Sequence, residues 1–287
     1  MYCEFFGFSE KPFTITPNPQ FIYLSEQHRE AFAHLLYGID SHAGFIAMTG
    51  EVGTGKTTVL RTLLTRLDSE RYRSALIFNP CRSGEQLLAS ICREFGVAPD
   101  ECKNYGYLDA LNLFLLDQHA AGRTVVLVVD EAQNLTPDVL EQVRMISNLE
   151  TVHNKLIQII LAGQPELNDV LNRHDLRQLS QRITVRCHLT PMDRRDTAEY
   201  IRHRLKVSGC RIPGLFSSGA VKRIYRFSRG VPRLINIVSE QALVMAWTQE
   251  NSSVTPDIAA RVIEGSGHSS GRRSIWQRIH GWLWAGR

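Results

Sequence analysis

The chain has 287 residues, 43% of them hydrophobic, with a net charge of +4 and six cysteines. That length and composition allow a large buried core and two folding units, and the modest charge does not by itself imply a polyanionic partner. The start, Met1-Tyr2-Cys3-Glu4-Phe5-Phe6, lacks the basic-then-apolar pattern of a secretory signal. No apolar run approaches the roughly 20 residues that a membrane-spanning helix needs. A cytoplasmic location is therefore expected. Cys3, Cys81, Cys92, Cys102, Cys187 and Cys210 form neither a Cys-x-x-Cys pair nor a His-bearing metal spacing, which reads as buried or idle thiols.

From residue 45 to residue 190, short apolar runs alternate with helical periodicity, the signature of a parallel sheet covered on both faces. Strands are predicted at 45–49, 74–79, 124–129, 156–162 and 182–189. Helices are predicted at 56–68, 84–95, 107–120, 137–149 and 165–173. Between the first strand and the first of these helices lies Gly50-Glu51-Val52-Gly53-Thr54-Gly55-Lys56-Thr57-Thr58. Its small residues let consecutive backbone N–H groups face phosphate oxygens. Lys56 is then placed to reach the β- and γ-phosphates, and the Thr57 hydroxyl to ligate Mg²⁺. The loop predicts a bound nucleoside triphosphate.

The third strand ends in Asp130-Glu131, at the carboxyl edge where open α/β sheets bind ligands. Asp130 is expected to hold Mg²⁺ through a water, and Glu131 to orient or deprotonate the attacking water. Gly163-Gln164 follows the fourth strand. Gln164 either senses the γ-phosphate or fixes the lytic water, or is an ordinary polar loop residue. Arg177 and Arg182, around the entry to the fifth strand, are either surface cations or an arginine finger offered to a neighbouring subunit.

After Pro191 the strand signals stop. Helices are predicted at 193–206, 217–228, 232–250 and 256–264, with Gly230 as a stop and Pro232 and Pro256 in first turns. Arg233 opens the third of these and is expected to reach back to the nucleotide. Between Arg194 and Arg233, eleven basic residues face only Asp196 and Glu199. This basic stretch is either a solvated surface or a contact for nucleic acid or a neighbour's phosphates. The run Gly265 to Gly271 has linker composition. Beyond it, Ile275, Trp276, Ile279, Trp282 and Leu283 share one helical face, suited either to a membrane interface or partner, or to a frayed tail.

Taken together, the loop, the Asp-Glu strand end, Gln164, the arginine pair and Gly230-x-Pro232-Arg233 resemble the ordered motifs of AAA+ ATPases. More narrowly, Phe6-Gly7-Phe8, Lys11-Pro12-Phe13, Thr16-Pro17-Asn18-Pro19, Asp130-Glu131-Ala132-Gln133, Gly163-Gln164-Pro165-Glu166-Leu167 and Leu179-Ser180-Gln181-Arg182-Ile183 resemble the general secretion pathway protein A (ExeA-like) family over about residues 1–265. The resemblance implies an α/β P-loop fold of AAA+ type with a five-stranded parallel sheet in the order 5-1-4-3-2 and an all-helical lid. It also implies ATP and Mg²⁺ as ligands, a ring or other homo-oligomer, and work on secretin or pilus assembly; the tail, in its membrane reading, adds peripheral contact at the cytoplasmic face of the inner membrane. The domains are then 1–190, in which 1–30 runs beside the adenine with Phe21 and Tyr23, the lid 191–264, and the linker and tail 265–287. The competing reading is a nucleic-acid-associated AAA+ protein, such as a transposition helper, whose basic lid touches DNA. Family members commonly continue into a membrane span and a peptidoglycan-binding domain. With the sequence ending at Arg287, peptidoglycan binding is not expected of it.

Overall fold

The computed structural model describes residues 2–15, 18–78, 83–150 and 155–266. In chain order the helices are α1 (Tyr2–Phe6), α2 (Glu26–Asp40), α3 (Lys56–Arg66), α4 (Gly84–Phe95), α5 (Pro99–Tyr105), α6 (Tyr107–Ala120), α7 (Pro137–Ile146), α8 (Glu166–Leu171), α9 (Arg177–Arg182), α10 (Arg194–Val207), α11 (Ser218–Ser228), α12 (Pro232–Thr248) and α13 (Pro256–Ser266). The strands are β1 (Phe45–Gly50), β2 (Tyr72–Ile77), β3 (Thr124–Val129), β4 (Ile157–Gly163) and β5 (Ile183–Leu189). They divide between two compact units, Glu26–Thr190 and a second made of Met1–Ser25 with Pro191–Arg287.

The first unit is built on one sheet in the order β2-β3-β4-β1-β5, with every pairing parallel. Read from the other edge, this is the expected order 5-1-4-3-2. Strands β1, β3 and β4 are buried along almost their whole length, while the edge strands β2 and β5 alternate. Successive side chains of a strand point to opposite faces, so each central strand feeds two cores. Phe45, Ala47, Val125, Leu127, Ile159 and Leu161 pack with α4, α6 and α7 residues such as Ile91, Leu111 and Val143. Ile46, Met48, Val126, Val128, Ile160 and Ala162 pack with Leu35 and Ile39 of α2 and Leu60 and Leu63 of α3. Helix α7 starts as its sequence predicts: Thr136 Oγ1 accepts from the Val139 N–H, and Pro137 occupies the first turn, where no donor is lost.

The second unit is all helical. Caps from Asp193 and Ser217 open α10 and α11, and α11 closes on Arg229 in the left-handed region at φ 51° followed by Gly230 at φ 82°. The stop foreseen at Gly230 is thus shared with Arg229. The amino-terminal segment, grouped with the sheet domain on sequence grounds, packs here. Tyr2, Phe6, Phe8 and Phe13 join Tyr200, Ile201, Phe216, Ile224 and Leu243 in one core, and Tyr2 donates to Glu240 Oε1 at 2.6 Å. Burial and that carboxylate push the Tyr2 hydroxyl pKa far upward. The reason for this grouping is apolar content: the first thirteen residues carry five aromatic rings, and four of them are buried in this core.

Candidate functional site

The strand order decides which loops meet. Because β4 lies between β1 and β3, with Thr49 beside Gly163 and Val129 beside Leu161, the segments leaving β1, β3 and β4 emerge side by side at the carboxyl edge.

The segment after β1 runs from Gly50 into α3 through a tight loop. Gly53 and Gly55 adopt φ 79° and 102°, and a Cβ on Gly55 would stand 2.8 Å from His28 Nε2. Backbone angle and space both demand glycine there. Thr54 is fully buried; its hydroxyl donates to Glu51 O at 2.8 Å, and its carbonyl lies 2.9 Å from His28 Nε2. Lys56 Nζ donates to Gly50 O at 2.6 Å and Glu51 O at 3.1 Å. Among the described residues no carboxylate comes within ion-pair distance of this ammonium. Burial lowers its pKa, opposed by the charges of Glu131, Asp130, Glu51 and Glu166. A partly desolvated cation at the start of α3, held by two carbonyls of the loop, suits an anionic group. Glu51 and Val52 are exposed, and Thr58 is half-buried on the first turn of α3.

Thr57 Oγ1 donates to Asp130 Oδ2 at 2.7 Å, and Asp130 is buried at 2% exposure. A hydroxyl and a carboxylate oxygen at hydrogen-bond distance are the hard donors that Mg²⁺ takes together with phosphate oxygens and water. These residues fit a Mg²⁺–triphosphate. A cluster of three or more His, Cys, Asp or Glu able to hold a metal unaided is absent among the described residues. Asp130 Oδ1 also accepts from the Glu131 N–H at 2.9 Å.

Glu131 stands in the left-handed region at φ 55°, a conformation that costs a non-glycine residue about 1 kcal/mol. A single 3-10 turn, Ala132–Asn134, follows it. Gln133 Nε2 donates to Glu131 Oε2 at 2.7 Å, and Gln133 Oε1 accepts from the Gln164 N–H at 3.0 Å. Gln164 Nε2 lies 3.5 Å from the same Glu131 oxygen. The structure therefore brings Gly50 to Thr57, Asp130, Glu131 and Gln164 together.

The arginines are placed differently. Arg182 Nη1 donates to Ser147 Oγ at 3.0 Å and also to Asn148 Oδ1, both just after α7. Arg177, at the start of α9, is exposed. Arg233 is exposed on the first turn of α12, in the helical unit. In that same unit Phe13 packs on Phe216, Tyr23 on Tyr200 and His203, and Phe21 under Arg204. Cys92 and Cys187 are buried, as their spacing suggested. Cys81, the motif residues Thr16 and Pro17, and the tail from 267 onward lie outside the described residues.

Sequence reasoning missed two site residues. His28 comes from α2, a helix the pattern did not reveal. Gln133 was seen only as part of a motif; its position two residues after Glu131, in a turn, was the available signal.

The sheet order and the phosphate loop give the chain a P-loop fold of AAA type. The AAA domain family matches residues 39–171. The particular protein it resembles is general secretion pathway protein A of Aeromonas hydrophila, 47% identical over 269 residues, which is 93% of this chain and 49% of that protein. The chain thus spans about half the length of that relative. Among solved structures, the ORC2 protein of Aeropyrum pernix matches at TM-score 0.68 and 17% identity, over 92% of this chain and 74% of that one. Cdc6p of Pyrobaculum aerophilum matches at 0.66 and 18%, over 88% and 69%. The RuvB Holliday junction branch migration motor of Thermotoga maritima matches at 0.56 and 16%, over 84% and 68%. At these identities the likeness is one of fold. Among the described residues, no helix is long and apolar enough to cross a membrane.

Proposed function

We propose that this chain binds and hydrolyses ATP and that the energy drives or switches assembly of an envelope secretion or pilus system. The observation that carries the hydrolytic part is the alignment of Thr57, Asp130 and Glu131 beside a buried Lys56, with the Thr57 hydroxyl on Asp130 at 2.7 Å. Support for the secretion part is the 47% identity to general secretion pathway protein A.

In this reading the amides of Gly50 to Thr57 cradle the phosphates and Lys56 neutralises the β- and γ-oxygens. Thr57, and Asp130 through a water, would hold Mg²⁺, which would supply charge neutralisation on the transferring group. Glu131 orients the attacking water and takes its proton, while the Gln164 amide faces the same space. Arg177 or Arg182, offered by a neighbouring copy in a ring, stabilises the charge that develops in transfer. Arg233 couples the helical unit to the nucleotide. The protein works in the cytoplasm, with peripheral contact at the inner face of the membrane through its tail. The deciding experiment is Glu131→Gln: the expected result is retained ATP binding with turnover lowered by roughly 10²–10⁴-fold. Retained turnover would mean that another group activates the water.

A second reading, a nucleic-acid-associated AAA+ protein, is favoured by one observation. Ten of the eleven basic residues between Arg194 and Arg233 are exposed, Arg204 alone being buried. Binding to duplex DNA that weakens steeply with added salt is its signature. No association at low salt would remove it.

A further inference from the structure

Gln133 plays no part in the binding or hydrolysis roles assigned above, yet its side chain is hydrogen-bonded both to the segment after β3 and to the segment after β4. We infer that Gln133 is a positioning residue that sets the direction of the Glu131 carboxylate. The inference rests on the hydrolytic reading of Glu131.

The geometry is specific about which oxygen is held. Gln133 Nε2 donates to Glu131 Oε2 at 2.7 Å, and Gln164 Nε2 approaches the same oxygen at 3.5 Å. Neither amide addresses Oε1. With Oε2 fixed, Oε1 is the oxygen left to take a proton from water. Gln133 is itself held, because its Oε1 accepts the Gln164 backbone N–H at 3.0 Å. Its amide orientation is thereby assigned by two partners at once: the carboxylate accepts only, and the backbone N–H donates only. The 3-10 turn supplies the reach, since Asn134 N donates to Glu131 O at 3.0 Å and folds residue 133 back over residue 131.

A second observation, at Gly163, is independent of these bonds. A Cβ on Gly163 would stand 2.5 Å from Gln133 Oε1 and 3.3 Å from Gln133 N. Gly163 ends strand β4 and is not among the glycines with positive φ. The backbone does not demand glycine here; the space a Cβ would take is held by the Gln133 carboxamide and by Leu167 Cδ2 at 3.2 Å. Two strand ends are thus shaped around one amide whose other end touches the base. Such a group acts on rate through orientation, because small misplacements of a reacting group carry large penalties in turnover. Its side-chain hydrogen bonds among the described residues go to Glu131 and Gln164, neither of them in the phosphate loop.

The test uses the full chain and two readouts, steady-state ATP hydrolysis and equilibrium binding of a fluorescent ATP analogue. Gln133→Met keeps the length and removes the amide; the expected result is a kcat lower by about 10–100-fold with KM and analogue Kd within about twofold of wild type. Gln133→Asn, which keeps the amide but shortens its reach, is expected to share the defect. Gly163→Ala should reproduce it from the other side by displacing the carboxamide. Glu131→Gln in the same assay sets the floor. A kcat for Gln133→Met and Gln133→Asn within twofold of wild type, with Glu131→Gln inactive, overturns the positioning role and leaves the hydrolytic reading standing. A parallel loss of analogue binding and kcat overturns it too, since that is the mark of a structural residue. Wild-type turnover no higher than the Glu131→Gln floor removes the hydrolytic reading and this inference with it.

Discussion

Arg204 in the helical unit and Lys56 in the sheet unit are both 6% exposed, and they illustrate two uses of a buried cation. The Arg204 guanidinium donates to the carbonyls of Pro12 and Thr14 and to the Tyr200 hydroxyl, and stands 4.8 Å from the centroid of the Phe21 ring. Its two carbonyl partners come from a segment about 190 positions away in sequence, so the cation fastens the amino-terminal strip to α10. Lys56 instead donates to two carbonyls of its own loop, five and six residues back, and joins nothing distant. Burial lowers its pKa, opposed by the charges of Glu131, Asp130, Glu51 and Glu166. A cation whose hydrogen bonds tie distant segments together is structural; one held by its own loop beside the carboxylates of the site is placed for a ligand.

Breaking each cation should separate these roles. Arg204→Met leaves two carbonyls and a hydroxyl without their donor inside a core, and is expected to lower unfolding stability by about 3 kcal/mol, at roughly 1 kcal/mol or more per orphaned group. Urea denaturation followed by circular dichroism reads this out, and a loss under 1 kcal/mol would contradict the tether. Lys56→Ala should instead weaken ATP binding by about 10–150-fold, the worth of a hydrogen bond to a charged group. Titration with a fluorescent analogue measures it, and unaltered affinity would show that the ammonium is not a phosphate ligand.

The smallest effect sharpens the contrast with groups that merely fill space. Burial pushes the Cys187 thiol up to about 12, and burial assisted by Cys102 does the same for Cys92. An unfolded thiol ionises near 9, so the native chain keeps protons that the unfolded chain releases. These thiols contribute no pH dependence below that point. Stability then falls as pH rises from about 9 towards 12, by about 1 kcal/mol per thiol over the first unit. Urea midpoints between pH 8 and 10 test the sign. Replacing both cysteines by alanine should remove that part of the slope.

Local patterns made much of the sheet unit legible. The five strands lie within two residues of their predicted starts and ends, and α4 and α6 match to the residue, because a fully buried strand must be apolar on both faces and a capped helix marks its own first turn. Helix α2 was not foreseen: His28, Ala31, Leu35, Gly38 and Ile39 form its buried face, and a stripe containing histidine, alanine and glycine gives weak periodicity. Gly163 was legible only as a loop residue, since the carboxamide that excludes a Cβ there belongs to a residue thirty positions earlier.

The sequence by itself determined that a phosphate loop follows one strand and an acidic pair another, because glycine spacing, a lysine and strand-end carboxylates are local chemistry. The tertiary structure alone decided that Gln133 reaches both Glu131 and the end of β4, that His28 backs the loop at Thr54, and that Arg204 belongs to the core rather than the basic surface. Those relations depend on strand order and on helix packing, which bring together residues whose separation along the chain carries no periodic signal.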